Sequence, residues 1–177
     1  MKSARPLLSL MALAACAGLA ACAVGGTYAP KSEPTFYRNL AQPGAQLDEA
    51  AAASMITGYR ANNGLQAVTL DPELTRLAQA QAQVMAKRDK LDHSVGKPFV
   101  ARLRASGYDA KTAAENISAG YHTLAEAFSG WRDSAPHRAN MLLKGATRMG
   151  IAAVYTPGSK YKVYWALILA EPDDRKS

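Results

Sequence analysis

The chain has 177 residues, of which 49% are hydrophobic and 20% charged, and its net charge is +7. This length and composition suit one globular domain together with an export segment. The basic residues are scattered and form no long block of like charge, so the sequence favours no nucleic-acid partner.

The first 21 residues predict a secretory signal peptide. Lys2 and Arg5 make a basic start, residues 7–19 are almost entirely apolar, and small residues stand directly before Cys22. The apolar run is shorter than the roughly 20 residues that a permanent membrane-spanning helix needs. The sequence therefore predicts export, with the chain leaving the cytoplasm.

Residues 19–22 (Leu-Ala-Ala-Cys) resemble the lipobox of bacterial lipoproteins. The resemblance implies that a lipid is attached to the thiol of Cys22, that cleavage follows before this residue, and that the new amine is acylated, for example by palmitate. Residues 13–16 repeat the pattern, so Cys16 is the alternative, but it would leave an apolar segment of only about 9 residues. A plain signal peptide with an incidental cysteine is the other alternative.

The residue after the modified cysteine indicates to which membrane the lipoprotein is sorted. It is Ala23, or Ala17 if the earlier box is used. Neither is the aspartate that, in lipoproteins resembling those of Gram-negative bacteria, marks retention in the inner membrane. We therefore expect a lipid-anchored protein of the cell envelope, on the outer membrane and facing the periplasm.

Composition divides the exported chain into three parts. Residues 22–46 are rich in Gly, Pro and Ala without helical or strand periodicity, which predicts a flexible tether. Residues 47–172 are predicted to form the folded domain, and residues 173–177 a polar tail. Both cysteines precede this domain, so no disulfide stabilises it.

The first half of the domain carries helix signals. Met55, Ile56 and Tyr59 share one face of a first helix that ends at residues 62–64. Residues 71–73 (Asp-Pro-Glu) begin a second helix, which continues to about residue 90, and a short third helix covers residues 98–106.

The second half changes from helix to strand. Thr123 and Glu126 form a capping-box pattern that begins a fourth helix leading to Trp131. Residues 149–155 and 162–170 are rich in Val, Ile, Tyr and Trp, which predicts a β-hairpin. Helices followed by strands indicate an α+β domain with helices packed on an antiparallel sheet.

The candidate chemistry centres on three histidines and one glutamate. His93 follows the second helix, His137 follows the fourth, and Glu115 lies between them, whereas His122 precedes a helix cap and is expected to be exposed. Two imidazoles and a carboxylate suit Zn²⁺. A site in which the histidines alone bind the metal, with Glu115 orienting a ligand or a water, is also open.

These residues belong to a longer pattern. The segments 114–117 (Ala-Glu-Asn-Ile) and 131–142 (Trp-x-x-Ser-x-x-His-Arg-x-Asn-x-Leu) resemble the bacterial branch of the CAP superfamily, the group of cysteine-rich secretory proteins, antigen 5 and pathogenesis-related type 1 proteins. Further segments match in order, and they are residues 59–65, 70–74, 92–94, 150–152 and 164–165. The resemblance covers about residues 47–171.

The resemblance implies an αβα sandwich in which helices flank a small antiparallel sheet. It also implies that His93, Glu115 and His137 converge on one cleft, where the histidines can bind a divalent metal such as zinc. Other matched residues are implied to line or support this cleft: Asn116, Trp131, Ser134 and Asn140. Lipids, peptides and cell-wall fragments are the ligands that the resemblance suggests.

One position departs from the family pattern. Animal and plant members carry a second glutamate where this chain has Ser134, beside Asp133, and Glu126 is already assigned to the helix cap. The leading hypothesis is therefore a non-enzymatic binding module. The alternative is a metal-dependent peptide or ester hydrolase with zinc on His93 and His137 and Glu115 acting on a bound water. A structural role for His137, in a helix start and hydrogen-bonded to Glu115, is also open.

Overall fold

The computed structural model describes residues 33–173. The predicted signal peptide, both candidate lipidation cysteines, residues 22–32 of the predicted tether and residues 174–177 of the predicted tail lie outside these residues. Among the described residues, no helix is both long and apolar enough to cross a membrane.

Residues 33–173 form α-helices and β-strands in an irregular alternation. In chain order the elements are α1 (Glu49–Ala61), β1 (Thr69–Leu70), α2 (Pro72–Arg88), α3 (Phe99–Ala105), β2 (Ala110–Ala119), α4 (Leu124–Asp133), α5 (Ala135–Met141), β3 (Arg148–Tyr155) and β4 (Val163–Pro172). A 3₁₀ turn, Thr35–Tyr37, precedes α1.

The predicted helix starts are confirmed by their caps. The carboxylate of Asp71 accepts hydrogen bonds from the backbone N–H groups of Glu73 and Leu74, which satisfies donors that a helix start leaves free. At α4, Thr123 and Glu126 form the reciprocal capping box.

The strands form one four-stranded mixed sheet in the order β1-β3-β4-β2. The predicted hairpin is present as the antiparallel pair β3 and β4, β2 pairs antiparallel with the other side of β4, and β1 pairs parallel with β3. Because β4 is central, side chains on both of its faces are buried.

Helices cover both faces of the sheet. Trp165, Leu167 and Leu169 of β4 pack in a cluster with α1, α4 and α5. The alternate residues of β4, among them Ala166 and Ile168, pack with α2 and α3. This arrangement is the predicted α+β sandwich of helices around a sheet. The sheet is mixed and not wholly antiparallel as predicted, because the short strand β1 pairs parallel with β3.

Strand β2 is the main element that the sequence did not predict. Its residues (Ala-Lys-Thr-Ala-Ala-Glu-Asn-Ile-Ser-Ala) include few β-branched or aromatic side chains, so local propensity is weak. The strand forms because it pairs along most of its length with β4, from Thr112 to Ala119. It lies at an edge of the sheet.

The described part of the predicted tether, residues 33–46, packs on the domain. Leu40 is only 4% exposed, and its N–H donates to the carbonyl of His122 over 2.7 Å. The hydroxyl of Thr35 donates to Asp48 at the start of α1 over 2.7 Å, and Phe36 packs against the core. The folded domain therefore begins before the predicted boundary at residue 47, because isolated apolar side chains anchor a segment that has no periodicity.

This anchoring predicts a stability effect. Leu40→Ala should lower the free energy of unfolding by about 2 kcal/mol or more, because it removes a buried side chain and leaves a cavity. Urea denaturation followed by circular dichroism would measure the change. Tyr37→Ala is the control, since this neighbouring side chain is 51% exposed. If the two variants are equally stable, the segment does not anchor the domain.

Candidate ligand-binding cleft

Glu115 is the buried centre of the candidate site. Its side chain is 1% exposed, and its two carboxylate oxygens have different partners. Oε1 lies 2.8 Å from Nδ1 of His93, and Oε2 accepts a hydrogen bond from Nη2 of Arg102 over 2.6 Å. Both oxygens are therefore engaged, one by an imidazole and the other by a guanidinium.

Arg102 is a member of this cluster that sequence reasoning missed. It lies on α3, where Arg104 and Lys97 are nearby and exposed, so nothing in the local pattern separates it from solvated basic residues. Its side chain is 11% exposed, and Nη1 is buried without a hydrogen-bond partner among the described residues. The only sequence signal is indirect, because a buried glutamate requires a nearby cation.

His93 is held by the loop that carries it. The side chain of Gln81 on α2 donates to the carbonyl of Asp92 over 2.9 Å, and the Asp92 carboxylate accepts from the N–H of Ser94. With Nδ1 on Glu115, the other ring nitrogen of His93 is left for solvent or a ligand. About half of the side chain (49%) is exposed.

A second network fixes α5 against the edge strand β2. The amide of Asn116 donates to the carbonyl of His137 over 2.9 Å. The amide of Asn140 donates to the carbonyl of Glu115 over 3.1 Å and to the side-chain oxygen of Asn116 over 2.9 Å. The successive residues Glu115 and Asn116 therefore contact opposite sides of the site, since side chains alternate along a strand. Glu115 contacts His93, and Asn116 contacts the backbone of His137.

His137 has a neutral partner. Its Nδ1 lies 2.9 Å from the hydroxyl of Ser134, the residue at the position of the family's second glutamate. The expectation that His137 bonds Glu115 is wrong, because His93 and Arg102 occupy that carboxylate. His122, expected to be exposed, is half-buried before α4, where its N–H donates to Glu126. No group of three or more His, Cys, Asp or Glu able to hold a metal occurs within residues 33–173.

The surroundings of His137 predict that the stability of the fold depends on pH. Burial lowers the pKa of His137 from its ordinary value of 6.5, and the electrostatic interaction with His93 lowers that pKa further. The unfolded chain therefore binds this proton more readily than the folded chain. The contribution of His137 to stability should be complete above pH 6.5 and should decline on acidification, until the folded-state pKa is passed.

Proton NMR titration of the imidazole Cε1–H signals would measure this shift. The midpoint of His137 should lie below 6.5, and His93→Ala should move it upwards without restoring it fully, since burial remains. In a His137→Gln variant, stability should depend less steeply on pH in the mildly acidic range. A titration midpoint of His137 above 6.5 would contradict the lowering of its pKa by burial.

A cavity of about 250 Å³ lies beside His137. Its walls include His137, Ser134 and Trp131 on one side and residues 117–119 of β2 on another. Trp131 is 1% exposed and packs edge-on against Trp165, with ring centroids 6.4 Å apart. The cavity is thus bounded by the sheet edge, by the core and by an imidazole.

The sandwich of helices around this sheet, with the His93–Glu115 pair and His137 at its edge, defines a CAP-type domain. The chain belongs to the cysteine-rich secretory protein (CAP) family, whose family model matches residues 53–169.

Relatives of known sequence or structure agree with this assignment. The uncharacterized protein YkwD of Bacillus subtilis is 31% identical over 126 residues, which are 70% of this chain and 49% of YkwD. An outer surface protein of Borrelia burgdorferi is similar in structure, with a TM-score of 0.64 and 16% identity over 73% of this chain and 99% of that chain. An SCP-domain extracellular protein of Bacillus anthracis has a TM-score of 0.60 and 19% identity, over 69% of this chain and 39% of its own. This chain thus spans about half the length of YkwD.

Proposed function

We propose that this protein is a membrane-anchored binding module of the cell envelope, with its ligand site in the cleft between His93 and His137. One observation carries this proposal: a cavity of about 250 Å³ is lined by His137, and the half-exposed imidazole of His93 lies near enough to His137 to lower its pKa. The cavity is partly apolar and contains a few polar groups, a composition common to ligand sites.

The two imidazoles are suited to a divalent metal such as Zn²⁺. Glu115 holds Nδ1 of His93, and Ser134 holds Nδ1 of His137, so the remaining nitrogen of each ring is the one left to a ligand. A carboxylate behind a metal-binding histidine orients the ring and raises its basicity. Lowering of the pKa of His137 by burial keeps its ring neutral, the form that binds metal.

Binding is preferred to hydrolysis because of Glu115. A general base must reach a bound water, but both oxygens of this carboxylate are engaged by His93 and Arg102, and the side chain is only 1% exposed. Ser134 supplies no second carboxylate. The proposed module therefore holds a ligand, and a metal, while Glu115 is engaged elsewhere and is not free to activate a bound water.

Zinc titration of the purified protein tests the site. Isothermal calorimetry and the imidazole NMR signals should report one site that is lost in His93→Ala and in His137→Ala. His122→Ala is the matched control, because this histidine lies before α4 and outside the cleft. If both cleft variants bind zinc as the wild type does, the metal site is wrong. Zinc-dependent peptide or ester hydrolysis lost in His93→Ala would contradict the non-enzymatic role.

The envelope location is supported by the sequence and by relatives. The Borrelia relative is an outer surface protein and the Bacillus anthracis relative an extracellular one. The lipobox-like residues 19–22 support lipid attachment at Cys22, with Cys16 as the alternative, and Ala23 supports the outer membrane.

Labelling of cells with radioactive palmitate tests the anchor. Cys22→Ala should abolish labelling and Cys16→Ala should retain it; the reverse result would move the anchor to Cys16. Ala23→Asp should shift the protein to the inner-membrane fraction, and an unchanged distribution would exclude the sorting proposal.

A further inference from the structure

The edge strand β2 presents part of its backbone to the cleft. Just after its end, the N–H of Gly120 donates to the carbonyl of Val163, the first residue of β4, over 3.0 Å. In an antiparallel pair, residues that bond the partner strand alternate with residues whose backbone groups point away from it. With the register of β2 and β4, the backbone groups of Ile117 and Ala119 therefore point away from β4.

The outward backbone groups lack hydrogen-bond partners near the end of β2, whereas a carbonyl earlier in the strand has one. The carbonyl of Glu115 is capped by the amide of Asn140. For Ile117 and Ala119, the outward N–H and carbonyl groups have no hydrogen-bond partner within the described chain. Both residues line the cavity beside His137, so the open stretch of the edge adjoins the cavity.

The same cavity has two further unsatisfied groups. The hydroxyl of Ser118 and the indole N–H of Trp131 have no partner among residues 33–173, although these residues are only 7% and 1% exposed. Both residues line the cavity. Buried polar groups in native proteins nearly always have partners, so their combination with an open strand edge points to a ligand that supplies hydrogen bonds.

We propose that the cleft binds an extended peptide segment, which pairs with β2 at Ile117 and Ala119 and places one side chain in the cavity. This inference rests on the proposed role of the cleft as the ligand site. Donors and acceptors repeat along a strand edge at every second residue, and an extended polypeptide matches that repeat. A lipid chain has no such groups. His93 and His137 then flank the bound peptide.

Peptide binding to the full-length protein in detergent micelles tests the proposal. Random peptides displayed on phage would be selected on the protein, and a selected peptide would be synthesised and titrated. Ala119→Pro removes an outward N–H while leaving the bonds to β4, so affinity should fall about tenfold or more, the equivalent of one main-chain hydrogen bond. Ala113→Pro is the matched control, because it removes an outward N–H on the same strand outside the cavity, and it should change affinity less than about twofold.

A second measurement does not depend on the folding of the proline variants. N-methylation of the peptide at alternate amides should abolish binding, whereas N-methylation of the intervening amides should not, because only every second amide faces β2. The proposal is overturned if no peptide is selected, if Ala119→Pro and Ala113→Pro act alike while both remain folded, or if every N-methylated peptide binds as the parent does. Zinc-induced shifts of His93 and His137 in the same protein would show that the cleft itself still binds, so this failure is separable from failure of the proposed function.

Discussion

Replacement of Arg60 by methionine is expected to lower the free energy of unfolding by about 3–5 kcal/mol. The residue is 1% exposed, and its guanidinium donates to four backbone carbonyls. The distances are between 2.8 and 3.0 Å, and the acceptors are Gln66, Met141, Leu143 and Ala146. Methionine fills a similar volume but leaves these carbonyls without their donors.

The hydrogen bonds that would be lost hold a segment next to the cleft. Three of the four carbonyls belong to residues 141–146, which run from the end of α5 towards β3. Loss of Arg60 should therefore also disturb His137, and its NMR signals should broaden or shift. Lysine is not expected to restore stability, because an ammonium lacks the planar fork of donors that reaches separate acceptors.

Chemical denaturation with urea would measure this effect. Arg76→Met is the matched control, since Arg76 is on the exposed face of α2, paired with Glu73, and its side chain is 62% exposed. The control should leave the transition midpoint nearly unchanged. A change of less than about 1 kcal/mol in Arg60→Met would mean that water replaces the guanidinium at these carbonyls.

The substitution Glu115→Gln is expected to lower the free energy of unfolding by about 3 kcal/mol. The substitution keeps the shape of the side chain but removes the negative charge that faces Arg102 over 2.6 Å. Arg102 is then left as a buried cation whose Nη1 already lacks a partner among the described residues. Removal of one member of a buried ion pair costs more than the pair contributes, because the remaining charge is uncompensated.

A double-mutant cycle would isolate this interaction. Arg102→Met combined with Glu115→Gln should be less destabilised than the sum of the single variants, because neither charge is then left alone. Glu73→Gln, in the exposed pair with Arg76, is the control and should show little coupling. Additive effects of Arg102→Met and Glu115→Gln would contradict the ion pair.

The structural role of Glu115 also affects ligand binding in its variants. A lower ligand affinity or lower activity in Glu115→Gln can arise from lost stability, since the same carboxylate holds His93 and Arg102. Measurements on this variant therefore need to be made where it is fully folded. His93→Ala provides a cleaner probe, because the side chain is half exposed.

Local signals in the sequence were sufficient for most of the helices and for the hairpin. The caps at Asp71 and Thr123 predicted where α2 and α4 begin, because these interactions involve residues only two or three positions apart. The apolar runs of β3 and β4 predicted the hairpin for a similar reason. Strand β2 was missed, since it depends on distant residues of β4 rather than on its own propensity.

The candidate site shows the same division. The sequence pattern indicated His93, Glu115 and His137, although no single spacing required them to meet. Arg102 was not predicted, because its ion pair with Glu115 is set by the packing of α3 against β2. The partner of His137 was missed although Ser134 is only three residues away, because only the fold shows that Glu115 is engaged by His93 and Arg102. The anchoring of residues 33–46 by Leu40 likewise depends on a contact with His122, far along the chain.

The sequence by itself therefore determined the family, the starts of the main helices and the residue types available to the cleft. Only the tertiary structure decided which groups are partnered: that Arg60 holds four carbonyls, that Glu115 pairs with His93 and Arg102, and that the edge of β2 stays open beside the cavity. The physical reason is that helix caps and periodicity are short-range properties of the chain. Burial and the pairing of charges and strand edges are long-range properties, fixed when distant segments pack together.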